Sequence, residues 1–413
     1  MSGTPAGDGL AAPPWSAMWR GFAGWLIAAL LVRALSAVFV THPGYIDAYY
    51  SYHVATNLLA GRGLVEGVLW NYLSPPLALP RPSNAYWPPG AALFVAAGSW
   101  LAPQGLPAWR GAQFAPVLGS ALVVAGAYAM VRRLTSSAGS RRRANAVAGL
   151  TLFSGVYFPY WVTTDGFTPF ALAGGATLWL AAEAAASMRR RRLLLFAAGL
   201  TAGLAQWVRP DGLLLLVGPV TVALRDLTPW PPSLRASWAL EGGRFPTFLM
   251  LCVLAAGFLL GAAPLVARNW LTWGSLAPPG VGAALWLREY DELFAYSELP
   301  SFEHWWTAGL PAALAARAGA LLGNLTVLGQ PFLYYLLPVA VLGAWRERRR
   351  PVCWAPAAYL AALYAVMSVL FPFQGVRGGM FHSLTAVLPF LLLWSVLGVE
   401  ALVSIGSRVR RWP

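Results

Sequence analysis

Long apolar runs separated by short polar turns set the rhythm of this chain. A helix needs about 20 apolar residues to cross a bilayer. Runs of that kind fall near 20–40, 111–131, 144–163, 168–187, 247–266, 324–345, 352–371 and 383–403. A longer run, 193–224, is interrupted by "VRPDG" at 208–212, where Pro210 and Gly212 predict two helices meeting in a hairpin. Only helices and closed barrels satisfy the backbone inside lipid. The pattern therefore predicts an all-α polytopic membrane protein of about ten transmembrane helices, forming one domain over 1–413. The segment 88–102 is too short to cross and predicts a juxtamembrane helix lying at the interface.

Arginine placement orients this bundle, because cytoplasmic loops concentrate basic residues. With the N-terminus inside and 88–102 not crossing, the inside segments 1–20, 132–143, 188–192, 225–246, 346–350 and 404–413 hold twenty basic residues against four acidic. The outside segments hold eight basic and nine acidic. Letting 88–102 cross would move "RRLTSSAGSRRR" outside, against the rule. The sequence thus places both termini in the cytoplasm of an inner membrane, with two large extracytoplasmic loops at 41–110 and 267–323. The first 19 residues read as a disordered cytoplasmic start, and no removable signal peptide is legible.

Composition changes this picture little. Of 413 residues, 58% are hydrophobic and 11% charged, well below the ~25% charged of a soluble domain. The net charge of +14 is explained by the cytoplasmic arginines, so nucleic acid is not an expected partner. The two cysteines, Cys252 and Cys353, lie in apolar runs and predict neither a disulfide nor a metal site.

Candidate chemistry gathers on the outer side. "YIDAYYSYHVATNLLAGRG" predicts a short helix ended by Gly61 and Gly63, with Tyr50, Val54 and Leu58 at helical spacing resting on the membrane surface. Asp47 opens that helix. It is either a helix-start carboxylate favoured by the dipole or a general base within reach of a lipid-linked substrate. His53 lies off the Asp47 face. Asp165, in "VTTDGFTPF", either caps the following helix or provides a second carboxylate that could polarise a hydroxyl or help hold a divalent cation. Arg209 of the "VRPDG" turn suits a phosphate, with Asp211 its natural ion-pair partner. Arg33 sits within the first span, where an arginine is costly unless paired or functional. Arg377 and His382 bracket the glycine-rich "GVRGGMFHS". In the second loop, Arg288 and Tyr290 belong to an amphipathic, aromatic segment that predicts another interfacial helix and a cavity roof. Glu303 and His304 are adjacent, which is not zinc-ligand spacing. "NLT" at 324–326 is a formal glycosylation sequon at the start of a predicted span.

Several pieces together resemble the GT-C superfamily of membrane glycosyltransferases. They are "DAYY…LLAGRG" after the first span, "WPPG" opening a first-loop helix, "VTTDGFTPFALAGG", "LAQWVRPDGLLLL", "PLVARNWLTWGSLAPPG" and "GGMFHSLTAVLPF". The likeness is to the bacterial branch, similar to protein O-mannosyltransferases and lipid A aminoarabinose transferases. It implies inverting sugar transfer from a polyprenyl-phosphate donor at the extracytoplasmic face to a protein, lipid or glycan acceptor. It makes Asp47 the base that deprotonates the acceptor, Asp165 its companion, and Arg209 a neighbour of the lipid phosphate. Ala48 stands where mannosyltransferases often carry a second acid, so no particular sugar is implied. Two other classes compete. A secondary transporter or lipid-handling protein would show repeats and midplane binding groups. A non-catalytic envelope scaffold would not need the outer carboxylates.

Overall fold

A computed structural model describes residues 15–76, 78–135, 139–224, 245–295, 300–332, 334–373 and 378–410. Its helices are α1 (Trp15–Phe39), α2 (Ile46–Leu59), α3 (Gly90–Leu101), α4 (Ala108–Leu134), α5 (Ser140–Phe153), α6 (Phe167–Ala186), α7 (Arg191–Gln206) and α8 (Val217–Leu224). They continue as α9 (Phe245–Trp273), α10 (Pro279–Ala283), α11 (Phe302–Thr307), α12 (Gly309–Gly329), α13 (Leu336–Glu347), α14 (Trp354–Val369), α15 (Gly379–Ser383) and α16 (Leu388–Arg410). Between α2 and α3 a small antiparallel hairpin pairs β1 (Val65–Glu66) with β2 (Arg81–Pro82), Val65 opposite Pro82 and Glu66 opposite Arg81.

Among the described residues six helical stretches are long and apolar enough to cross a membrane: Met18–Phe39, Ala108–Leu134, Thr247–Trp273, Gly309–Phe332, Pro351–Val369 and Leu388–Ser407. The predicted runs 144–163, 168–187 and 193–224 are also helical, but as the shorter or less apolar α5, α6 and the α7–α8 pair. Between α7 and α8 the chain breaks at 207–209 and re-enters through a 3-10 turn from Pro210, the expected hairpin. The juxtamembrane expectation at 88–102 corresponds to α3, which has 12 residues.

Three expectations need correction. The run 324–345 is not one helix. Pro331 cannot continue the ladder, and Tyr334 takes a left-handed φ of 63° with its N–H bonded to Gly329 O. The helix feeding this break starts at Gly309, inside the predicted outer loop 267–323. Arg317 masked it in the sequence; its guanidinium turns back to Ala313 O (2.9 Å) and over the Trp305 ring (5.4 Å). Tyr50, Val54 and Leu58 do not rest on the membrane surface: Tyr50 and Val54 are buried with Ala92, and Leu58 packs beside Val95 and Ala112. Finally, α1 begins at Trp15, so the predicted disordered start at 1–19 overlaps helix. The first 14 residues and most of the predicted inner segment 225–246 lie outside the described residues.

Close helix packing builds the scaffold beneath the site. α7 and α9 cross on Gly199 and Gly203 facing Gly257 and Gly261. A Cβ at Gly203 would stand 2.5 Å from Phe258 O, and one at Gly261 2.4 Å from Leu200 O. Small residues of this kind let membrane helices approach at backbone distance. Just beyond the crossing, Trp207 donates its indole N–H to Gly261 O at 2.9 Å. The arginine-rich turns collect at the opposite end of α4 from its site-bearing start. Arg133 pairs with Glu183, Arg143 with Glu400, and Arg350 donates to Leu134 O. Asn324 of the sequon is fully buried and donates to Met367 O and Ser368, so its amide is committed inside the bundle.

Candidate active site

The start of α4 locks together the two segments that carry the acidic residues. Trp109 donates to Val40 O (2.8 Å) and Arg110 to Val38 O (3.1 Å), satisfying carbonyls freed at the end of α1. Gln113 bridges Val40 O (3.1 Å) and Val162 O (3.3 Å), joining the lead-in to α2 with the loop before α6. Thr164 adds a bond to Ala48 O at 2.8 Å. Asp47, in the first turn of α2, and Asp165, two residues before α6, are thereby held side by side.

Neither carboxylate occupies a helix cap position. Tyr45 and Gly166 occupy the two cap positions, and neither makes a side-chain cap bond. A carboxylate stabilised by the helix dipole alone would titrate low. Burial, reinforced by the negative charge of Asp165, instead pushes Asp47 up to about 6, against the opposing pull of His382 and Arg209. For Asp165, burial acts upward too, but the hydrogen bond and charge of His382, the Gly166 N–H and the Tyr45 hydroxyl together hold it below the usual carboxylate value. Its contacts are Tyr45 Oη at 2.8 Å and His382 Nε2 at 3.2 Å, with Gly166 N donating to the other oxygen. His382, on α15, lies 4.0 Å from Asp47 and is stacked on Phe167 (centroids 4.3 Å, planes 18° apart). One imidazole therefore faces two carboxylates of opposite tendency.

Arg209 reaches the same place from the α7–α8 break. It is 5% exposed; Nε donates to Asp211 (2.9 Å) and Ser383 Oγ (3.0 Å), and its guanidinium lies 5.0 Å over the Trp87 ring. Helix α3 is docked onto this turn, because Gly90 N donates to Trp207 O at 2.6 Å and a Cβ there would clash with that carbonyl. Asp47, Tyr50, Asn84, Trp87, Asp165 and Arg209 line a common cavity of about 20 Å³, room for about one water. A larger cavity of about 410 Å³ lies on the other flank of α2, among Tyr52, Thr56, Ser99 and Trp100. No carboxylate lines it, so the smaller cavity is the chemically equipped one.

Of the remaining predicted residues among those described, only Tyr50 reaches this cavity. Its hydroxyl is engaged by Glu66 and by Asn84 N (2.6 Å). His53 binds Asn57 (3.1 Å) and Gly67 N (3.1 Å), a brace for the first loop. Arg33 is fully buried, donates to Leu152 O (2.8 Å), and sits over Phe158 and Trp161. Arg288 holds His304 O (2.7 Å) and Thr307 (2.9 Å) within the second loop. Tyr290 packs on Phe294 and Phe373 in the second loop. Arg377 lies outside the described residues. Sequence reasoning missed Tyr45, Trp87 and Ser383 as site residues. "WPPG" signalled Trp87 only as a helix start, and no spacing links Ser383 to Arg209. Asp47, Asp165 and His382 are also a group able to hold a metal ion, one ligand atom from each lying within 4.8 Å of the others.

The fold of this chain is similar to that of two solved structures. ArnT from Cupriavidus metallidurans bound to undecaprenyl phosphate superposes with a TM-score of 0.58 at 17% identity, over 91% of this chain and 59% of that one. The apo oligosaccharyltransferase of Archaeoglobus fulgidus gives 0.50 at 14% identity, over 94% of this chain and 51% of that one. The chain thus spans under two thirds of the length of these relatives. No protein-family model and no curated protein matches it.

Proposed function

We propose that this protein is a glycosyltransferase that moves a sugar from a polyprenyl-phosphate donor to an acceptor hydroxyl at the extracytoplasmic membrane face, inverting the anomeric carbon. The observation carrying this reading is a carboxylate with its pKa raised to about 6, facing a nearly buried arginine in one cavity of a GT-C fold. An undecaprenyl-phosphate complex of the structurally similar ArnT supports the lipid-linked donor.

Asp47 accepts the acceptor's proton as its oxygen attacks the anomeric carbon. The bond from that carbon to the phosphate oxygen breaks, and the electron pair leaves with the lipid phosphate. Arg209 stabilises the charge developing on that phosphate, an interaction stronger in the transition state than in the ground state. Asp165, held ionised by Tyr45, Gly166 and His382, keeps Asp47 basic enough to accept the proton. The two carboxylates and His382 fit a divalent cation by donor type and spacing; when bound, it would supply Lewis acidity at this cluster. The acceptor hydroxyl belongs to a protein, lipid or glycan.

Asp47→Asn, purified in detergent and supplied with synthetic undecaprenyl-phosphate sugars, should lose about 10²–10⁴-fold in transfer while keeping its thermal transition. Wild-type turnover in that variant would remove Asp47 from the base role.

A further inference from the structure

We propose that Trp87 is a donor-binding residue, its indole N–H joining the terminal nitrogens of Arg209 to hold the phosphate of the lipid-linked substrate. This inference rests on the polyprenyl-phosphate reading and adds a residue to it. Trp87 lines the cavity beside Asp47, Asp165 and Arg209. Its Nε1 is buried and has no acceptor among the described residues. A buried donor left unmatched is rare in native structures, and one beside a substrate cavity points to a ligand atom as its partner. The neighbouring arginine also keeps donors open to the cavity. Both of its hydrogen bonds to Asp211 and Ser383 use Nε, so the two terminal nitrogens donate to no described residue.

The ring is fixed in place rather than loosely packed. Trp70 stacks on it at 5.9 Å with planes 8° apart, and Tyr86 lies 4.6 Å away at 48°. The Arg209 guanidinium covers it at 5.0 Å. Two residues on, Pro89 leads into α3, whose Gly90 N is pinned to Trp207 O. Tryptophan, arginine and the α7–α8 turn therefore form one unit, with unmatched N–H donors on two sides of the same cavity. Arg209 alone would give charge; the indole adds a directed neutral donor. The cavity admits about one water as it stands, so the phosphate enters by widening it beside the fixed indole.

The test uses the full chain in nanodiscs, with retention of undecaprenyl phosphate and of undecaprenol followed by native mass spectrometry, and inorganic phosphate as a third probe. Trp87→Phe should weaken undecaprenyl phosphate about tenfold, leave undecaprenol unchanged, and leave the thermal transition in place. Site-specific benzothienylalanine at position 87, isosteric but lacking the N–H, should reproduce the loss and serves if the phenylalanine variant fails to fold. Wild-type retention of undecaprenyl phosphate by the benzothienyl protein would overturn the inference. So would equal weakening for undecaprenol, which would make the indole a packing residue. Millimolar inorganic phosphate binding with the same dependence on Trp87 would assign the donors to a free anion and overturn the lipid source. A wild-type protein that fails to distinguish undecaprenyl phosphate from undecaprenol would instead sink the polyprenyl-phosphate reading itself.

Discussion

Acidification from pH 7 to pH 5 should slow transfer about tenfold if Asp47 is the base and titrates near 6. The base works only when ionised, so activity rises with pH through that value. A carboxyl group at 6 is about nine-tenths ionised at pH 7 and about one-tenth at pH 5. At its ordinary value of 3.8 it would stay over nine-tenths ionised at both, and the rate would barely change. The displacement of roughly two units corresponds to about 3 kcal/mol of bias against the charged form. Burial supplies the largest part and the Asp165 charge the next, with His382 and Arg209 opposing both. The assay is initial-rate transfer from saturating undecaprenyl-phosphate sugar in buffers of constant ionic strength, alongside a thermal-shift control at each pH. Asp165→Asn removes the like charge, so in residual activity the acid limb should move toward lower pH. A flat wild-type profile between pH 5 and 7, with the fold intact, would refute the raised base. A limb that stays in place in Asp165→Asn would refute the coupling between the two carboxylates.

Gly203→Val should separate α7 from α9, because its Cβ would meet Phe258 O at 2.5 Å; the expected destabilisation is ~1–3 kcal/mol, read as a lower thermal transition in detergent. Gly24→Val, with nothing within 4 Å, is the matched control and should not lower the transition. Metal removal with EDTA distinguishes two states of the Asp47–Asp165–His382 cluster. Activity lost and restored by a divalent cation means the cluster works as an ion site, whereas unchanged activity leaves His382 as the balancing partner of both carboxylates.

The helical, membrane-spanning character of this chain was legible from composition and period alone. Apolar runs near 20 residues leave the backbone no alternative to helix in lipid, and "VRPDG" punctuates its hairpin because proline and glycine act locally. Asp47, Asp165, Arg209 and His382 were legible as candidates, since charged and titratable residues are scarce here and stand out at span ends. Their assembly was not. Asp165 and His382 are separated by 217 positions and Arg209 and Ser383 by 174, and only the packing of α4, α6, α7 and α15 sets those distances. The same packing gave Tyr50 and His53 structural partners in the first loop and turned Arg33 toward a backbone carbonyl. It also moved Trp87 from a helix-start signal to the wall of the cavity. Sequence pattern reports which groups cannot face lipid without cost. The tertiary structure decides which of them meet, and burial beside a like charge raises Asp47 into the range where a carboxylate can act as a base.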